Sequence, residues 1–528
     1  MNSRPLDRLR LKPVLLACAA CLSTGFMVSP LLGANTAAAD SDGGGGGSSS
    51  ATAGEMPAAP STVPLEIWKG NARVRKVLQP TTDFSQAEPF EVMQGGAGTQ
   101  TTNTDRNAYS QETSTLSFEH LQTFKLGNAL FNKMWVASPS STQASDGLGP
   151  FYNARSCQSC HIKDGRGQLP VAGEKTASLL IQLKNELDGH WGPDPVYGGQ
   201  FHASAVPGVP AEGQVRITTE PLTRQFSDGT RHDLQKPIYT LVDHAYGDLH
   251  PNTILSPRMA TAMPGLGMLE AIAAEDILAY ADPEDADGDG ISGRPNWQVL
   301  DDGQRVLGRF AHKAAMSTVR EQNVHAMFSD MGLSSSGDSM SNPQGDCMPT
   351  QKVCESLAHG EQERLGKGEA PDDVVDLITF YTHNLAVPAR RDVDDPEVLK
   401  GKSLFYDSGC QGCHVPKHVT SRDATQEEMQ FQLIWPYTDL LLHDMGEDLA
   451  DNASEAEASG REWRTAPLWG IGLAQTVNPN TSFLHDGRAK TLLDAVLWHG
   501  GEAQASLDNV LEMSQDERSA LVRFLESL

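Results

Sequence analysis

Two stretches of the chain carry apolar side chains at helical spacing and run on in the same way. Phe124 to Trp135 reads FKLGNALFNKMW, and Leu399 to Cys410 reads LKGKSLFYDSGC. Each holds a Gly-x-x-Leu-Phe run at the three- and four-residue period of a helix, and each leads to a loop with paired cysteines. A further helix is predicted in TLLDAVLWHGG, where Leu492, Ala495, Val496 and His499 share one face. The apolar run PVLLACAACLSTGFMVSPLLG is of another kind. A basic stretch precedes it and ANTAAAD follows, so it reads as an export signal cleaved after Ala39. Gly25, Ser29 and Pro30 interrupt it, whereas a spanning helix wants ~20 apolar residues. Next comes DSDGGGGGSSSATAG, too rich in Gly and Ser to bury a core and therefore a linker. These patterns predict a mainly α protein with long loops. Its segments are a signal (1–39), a linker (40–62), an N-terminal domain with insertions (63–345), a connecting segment (346–395) and a C-terminal domain (396–528).

Composition sharpens this picture. The 528 residues leave room for two or three cores. Lys and Arg number 41 against 68 Asp and Glu, a net charge of −27. Loss of the basic leader takes the chain to about −30. That field repels nucleic acid and anionic lipid and attracts a cationic partner, such as a basic electron-carrier protein. No segment after the leader is long and apolar enough to span a membrane. The location expected is the periplasm. Cys21, preceded by Ala-Ala, is an alternative lipidation site, although LSTGFMVSPLL after it is more apolar than a lipoprotein tether.

Eight cysteines remain to be assigned. Cys18 and Cys21 lie in the leader. Cys347 and Cys354, in a short polar loop, read as a disulfide outside the cytoplasm. Cys157 and Cys160 precede His161, and Cys410 and Cys413 precede His414. A disulfide gives neither histidine a role. Zinc sites bring two C-x-x-C units within about 15–20 residues, and iron–sulfur clusters want four converging thiolates. Haem c fits: two thiols add to the vinyl groups on one porphyrin edge, and the next residue's imidazole reaches the iron from below. The chain is thus expected to carry two covalent haems. DPEDADGDGISGRPN adds Asp285, Asp287 and Asp289 ahead of Gly290, the start of a calcium loop, although Asn296 stands where a bidentate Glu would close it. An acidic turn capping a helix is the competing reading.

With these motifs the sequence resembles the bacterial dihaem cytochrome c peroxidase superfamily. Within it, the chain is most similar to the dihaem oxidoreductases that carry a peroxidase label and an older thiol oxidoreductase label. The resemblance runs from about Phe118 to the C-terminus through DGLGPFYNARSCQSCHIKDGRG, MPGLGMLEAI, LGRFAHKAAMSTVREQNVHAMFSDMGL, WPYTDLLLHDMGEDLAD, RTAPLWGIG and FLHDGRAKTLLDAVLWHGGEA. It implies two cytochrome c-like haem domains around an insertion-rich middle region. It also implies electrons passing from a donor protein, such as a small cytochrome or cupredoxin, through the C-terminal haem to an N-terminal haem that reacts with peroxide or another small oxidant. At the place of the family's distal methionine this chain has His499, which lowers a haem's potential relative to methionine, with Met445 the second candidate. Over the reactive haem the family pairs a glutamine with a carboxylate, and Gln322 with Asp330 matches that pattern in altered form. Glu270 is a further carboxylate candidate. His312, Lys313 and His325 are candidates for a removable sixth ligand, and Trp297 and Trp469 for an indole between the haems. Two alternatives stay open: a dihaem enzyme that oxidises a protein or organic substrate, and a non-catalytic electron carrier. No spare cysteine pair supports the thiol label.

Overall fold

Each Gly-x-x-Leu-Phe run lies on a helix that a second helix crosses at the glycine. The computed structural model describes residues 67–68, 71–170, 177–187, 189–300, 302–336 and 340–528. The leader, the linker, Cys18 and Cys21 lie outside them. Helix α1 (Phe118–Phe131) starts where the Ser117 hydroxyl accepts from the backbone of His120. Helix α2 spans Val319–Met331 and α3 spans Asp372–His383. In the C-terminal part, α4 (Pro396–Asp407) has Pro396 in its first turn and an Asp395 cap. A short α5 (Leu492–Leu497) and α6 (Gln515–Ser527) both begin with capping boxes. No helix among the described residues is long and apolar enough to cross a membrane.

The two crossings share one plan. Gly127 of α1 packs on the Leu377 carbonyl and the Tyr381 side chain of α3. Gly401 of α4 packs on the Ala520 carbonyl and Phe524 of α6. Four residues on, Phe131 lies 5.2 Å from Tyr381 and Phe405 lies 5.2 Å from Phe524, centroid to centroid. The same two phenylalanines then stand 6.3 Å from the His161 and His414 rings. Each buried phenylalanine contributes about 1.5–3 kcal/mol, and each ties a C-x-x-C-H turn to its helix pair. A Cβ at Gly401 would meet the Ala520 carbonyl, which cannot retreat without moving α6. Gly401→Ala is therefore expected to cost about 1–3 kcal/mol as overpacking. Gly192→Ala, which meets nothing within 4 Å, should stay within about 0.5 kcal/mol. Denaturant midpoints of the two variants check this.

The expectation of a mainly α fold is corrected by the rest of the chain. Only 29% of the described residues are helical and 19% are extended, in many small sheets. The region read from sequence as insertion supplies much of that strand. Strand β1 (Leu179–Leu187) alternates buried Leu179, Ile181 and Leu183 with partly exposed neighbours. β2 (Gln214–Gln225) and β3 (Arg231–Val242) form a twelve-residue antiparallel hairpin, turned at Gly229 with φ +84°. β4 (Thr253–Met259) pairs with β1, Met259 opposite Leu179. Valine, isoleucine and threonine at alternate positions, as in VRIT, favour strands because one face is buried and the other wet. Near the C-terminal haem turn, β5 (Leu442–Asp444) pairs with β6 (Glu462–Arg464). Cys347 and Cys354 form a disulfide with Cα atoms 6.4 Å apart.

Candidate functional site

Both C-x-x-C-H turns close in the same way. The His161 amide donates to the Cys157 carbonyl and the His414 amide to the Cys410 carbonyl, each at 3.0 Å. One turn of helix thus sets both thiols and the imidazole on a single side. All four cysteines are free. Burial pushes the Cys157 and Cys410 thiols up to about 12, so they stay protonated.

The histidines are oriented as iron ligands require. His161 donates its Nδ1 proton to the Thr261 carbonyl at 2.7 Å, and His414 does the same to the Tyr437 carbonyl at 2.9 Å. That hydrogen bond fixes the tautomer and leaves Nε2 with a lone pair. Burial lowers both pKa values, His414 to about 4, so both rings are neutral and competent to bind metal. Beside His161 a cavity is lined by Cys157, Cys160, Met263, Asn323, Met327 and Asp330, among others. Free thiols, a correctly oriented imidazole and an apolar cavity fit a haem.

The two sites differ in what faces them. His499, just past the end of α5, donates its Nδ1 proton to the Ala495 carbonyl at 2.8 Å, which leaves its Nε2 available. It lies close enough to His414 for its charge to depress that ring's pKa. The structure thus brings His499 to the second turn. Met445 packs instead into an apolar cluster with Leu497, Trp498 and Leu507. The lining of the first cavity contains no imidazole besides His161.

Asp330 reaches the first cavity near its cysteines. Burial raises its carboxyl to about 6, against the opposing pull of the Gln200 hydrogen bond at 2.9 Å and the His202 charge. Gln322 lies one residue round α2 from the cavity-lining Asn323, and its Oε1 is buried without a hydrogen-bond partner. Glu270 is placed elsewhere: it accepts from the Val319 amide at the start of α2 and pairs with His383 at 3.2 Å. His312 donates to the Met259 carbonyl, and Lys313 spends its ammonium on Asp451, Ala453 and Ser459. Neither these two nor His325 lines the cavity.

Of the acidic loop, Asp285 and Asp287 converge with Asp282, their ligand atoms within 4.8 Å of one another. Asp289 turns away to cap the Ile291 amide, and Asn296 donates its amide to the Lys313 and Glu455 carbonyls. The sequence reading passed over Asp282. Trp297 lies under Arg305, and Trp469 is buried against Gly265. It also missed His443, which stands 3.5 Å from Cys413 Sγ and bridges Asp439 and Glu502 at 2.8 Å each. The usable signal is the His-Asp pair in LLLHDM together with Glu502 three residues past His499.

No curated protein matches the chain. The family model described as di-haem oxidoreductase, putative peroxidase, matches residues 91–186 and 208–528. Those limits take in both C-x-x-C-H turns, their crossing helices and His499. With most of its length matched and two alike haem-binding turns, the chain belongs to the di-haem oxidoreductases.

Proposed function

We propose that the protein is an exported c-type cytochrome with two thioether-linked haems, acting as a peroxidase in the periplasm. The carrying observation is the asymmetry between the turns: a second imidazole at His414, and at His161 a cavity with a near-neutral carboxyl in its wall. Haem at the first site would supply the redox chemistry for peroxide, and haem at the second would store and pass an electron. His161 and His414 would hold the two irons, and His499 would be a second ligand at the His414 site. Electrons would enter from a cationic donor, such as a small cytochrome, drawn by the acidic surface. Trp297 and Trp469 are the candidate indoles for electron transfer between the two sites. The Asp282, Asp285 and Asp287 carboxylates are the candidate calcium ligands.

The test is the purified holoprotein. Its mass should include two macrocycles that survive acidic acetone, and it should consume peroxide with a reduced cytochrome. Paramagnetic resonance should find the second haem low-spin. Two permanently low-spin haems without peroxide turnover would instead make it an electron carrier.

Asp330 supplies a pH dependence. As a carboxylate it can take a peroxide proton and return it to the leaving oxygen; once protonated it cannot take one. Its raised pKa places that change at about 6. Turnover should therefore fall as pH drops through about 6. Asp330→Asn should remove that limb and slow turnover by about 10²–10⁴-fold. An unchanged acid limb in the variant would assign it to another group.

A further inference from the structure

Trp463 is the centre of a buried charged cluster. Its ring stacks on His485 at 3.8 Å, and Arg258 and Lys313 lie over it at 4.6 and 4.5 Å. His312 approaches edge-on at 6.5 Å, and Arg166, Arg258 and Arg464 all act on its charge. Three of the cations here are matched. Arg258 pairs with Asp451 at 2.8 Å and Glu455 at 3.4 Å, Lys313 with Asp451 at 3.0 Å, and Arg488 with Asp486 at 2.9 Å. Arg166 and Arg464 are not: among the described residues no carboxylate lies within 4.0 Å of either. Arg166 donates to the Ser482 and Leu484 carbonyls, and Arg464 to those of Ala311 and Thr465.

Carbonyls solvate a guanidinium but do not neutralise it, and Asp439, the acid whose charge reaches Arg464, is itself paired with His443 at 2.8 Å; an enclosed cation without a counter-ion in contact is costly. A second observation points the same way. His485 is only 7% exposed, and its Nε2 has no hydrogen-bond partner, the Asp486 carboxylate standing 3.9 Å away and engaged by Arg488. The cluster also touches both haem turns. Arg166 follows His161 by five residues. The Met259 carbonyl accepts from His312, and Thr261, two residues on, accepts from His161. Arg464 lies on β6, paired with the strand that places His443 beside Cys413.

We propose that Arg166, Arg464 and the free Nε2 of His485 form a buried carboxylate-binding site, and that its ligands are propionate groups of the haems. This rests on the two-haem reading. A guanidinium that offsets a propionate keeps negative charge from favouring ferric iron. Its removal lowers the potential and lets the propionate titrate.

The experiment is potentiometric titration of the two-haem holoprotein across pH, for wild type, Arg166→Leu, Arg464→Leu and Arg464→Lys. At least one leucine variant should shift the reduced-to-oxidised ratio of one haem about tenfold towards oxidised, about 59 mV for a one-electron couple. That shift should shrink on acidification, and the lysine variant should recover most of it. Unmoved potentials in both leucine variants would overturn the assignment. Acetate titration of wild type distinguishes the source. A saturable haem band shift that both leucine variants lose, with potentials unchanged, would give the site to a free carboxylate instead of a propionate. If the leucine variants do not accumulate with two haems, redox-difference infrared spectra of wild type decide. Propionate bands constant between about pH 5 and pH 8 support the proposal, and titrating bands reject it. A holoprotein mass without added macrocycles would remove the haem reading itself, whereas two macrocycles with unmoved potentials would remove only this inference.

Discussion

Changing Cys157 and Cys160 together to alanine is expected to leave a protein with one haem and no peroxide turnover. The argument is local and chemical. Each turn offers two protonated thiols and one imidazole on one side of a single helical turn, so each can hold one macrocycle. Loss of both thiols at the first turn leaves His161 as its only anchor there. A neutral imidazole alone binds metal reversibly, so purification should strip what the thioethers would have kept. The mirror variant, Cys410→Ala with Cys413→Ala, should also keep one haem but lose a different function: it should no longer accept electrons from a reduced cytochrome. Intact mass and a stain for covalent haem check the first point, and cytochrome oxidation with and without peroxide checks the second. If either double variant still carried two covalent haems, the assignment of these cysteines would fail. Both variants give up core packing as well, because Cys157 and Cys410 pack against the apolar clusters that hold Phe131 and Phe405. Some loss of stability should accompany loss of pigment.

How much of this the sequence disclosed depended on how local the signal was. The C-x-x-C-H turns needed only five residues each, and their spacing is the chemistry. The crossing glycines Gly127 and Gly401 were legible as a repeated Gly-x-x-Leu-Phe, because a helix face has a period that survives divergence of everything around it. Their partners, Tyr381 and Phe524, were not: nothing in the sequence says which later helix will cross at a glycine. The strands between Leu179 and Met259 carry alternating apolar side chains, Leu179, Ile181 and Leu183 in β1 and Val215 and Ile217 in β2. They were passed over because short half-buried strands carry a weaker pattern than a helix. The charged cluster at Trp463 was the least visible. Arg166, Arg258, Lys313, Trp463 and His485 come from five separate segments, and only the fold assembles them. In the acidic loop, Asp282 converges with Asp285 and Asp287, while Asp289 accepts from the Ile291 amide; the alternate spacing in the sequence pointed to Asp285, Asp287 and Asp289 and could not show the approach of Asp282.

Replacing His499 by methionine should raise the potential of the second haem, on the order of 0.1 V within the ≈0.8 V that axial ligands span. Thioether sulfur favours ferrous iron more than imidazole does. His499 is presented for ligation by its own helix: the Ala495 carbonyl takes the Nδ1 proton, so Nε2 keeps the lone pair. Burial lowers the ring's pKa, so the ring is neutral at pH 7 and needs no proton removed before it binds. Glu502, three residues on, takes hydrogen bonds from His443 and Ser292, which pins the segment following His499. The new potential has a consequence for catalysis. A higher-potential haem is easier to reduce but gives its electron less readily to the first site, so the variant should accept electrons from weaker donors while turning over peroxide more slowly. His499→Ala should go further and convert the second haem to high-spin, since Met445 is held in the apolar cluster around Trp498. Potentiometry with low-temperature paramagnetic resonance reads both variants. A methionine variant with unchanged potential, or an alanine variant still low-spin with methionine character, would move the ligand role from His499 to Met445 and release the segment 492–502 from the redox site.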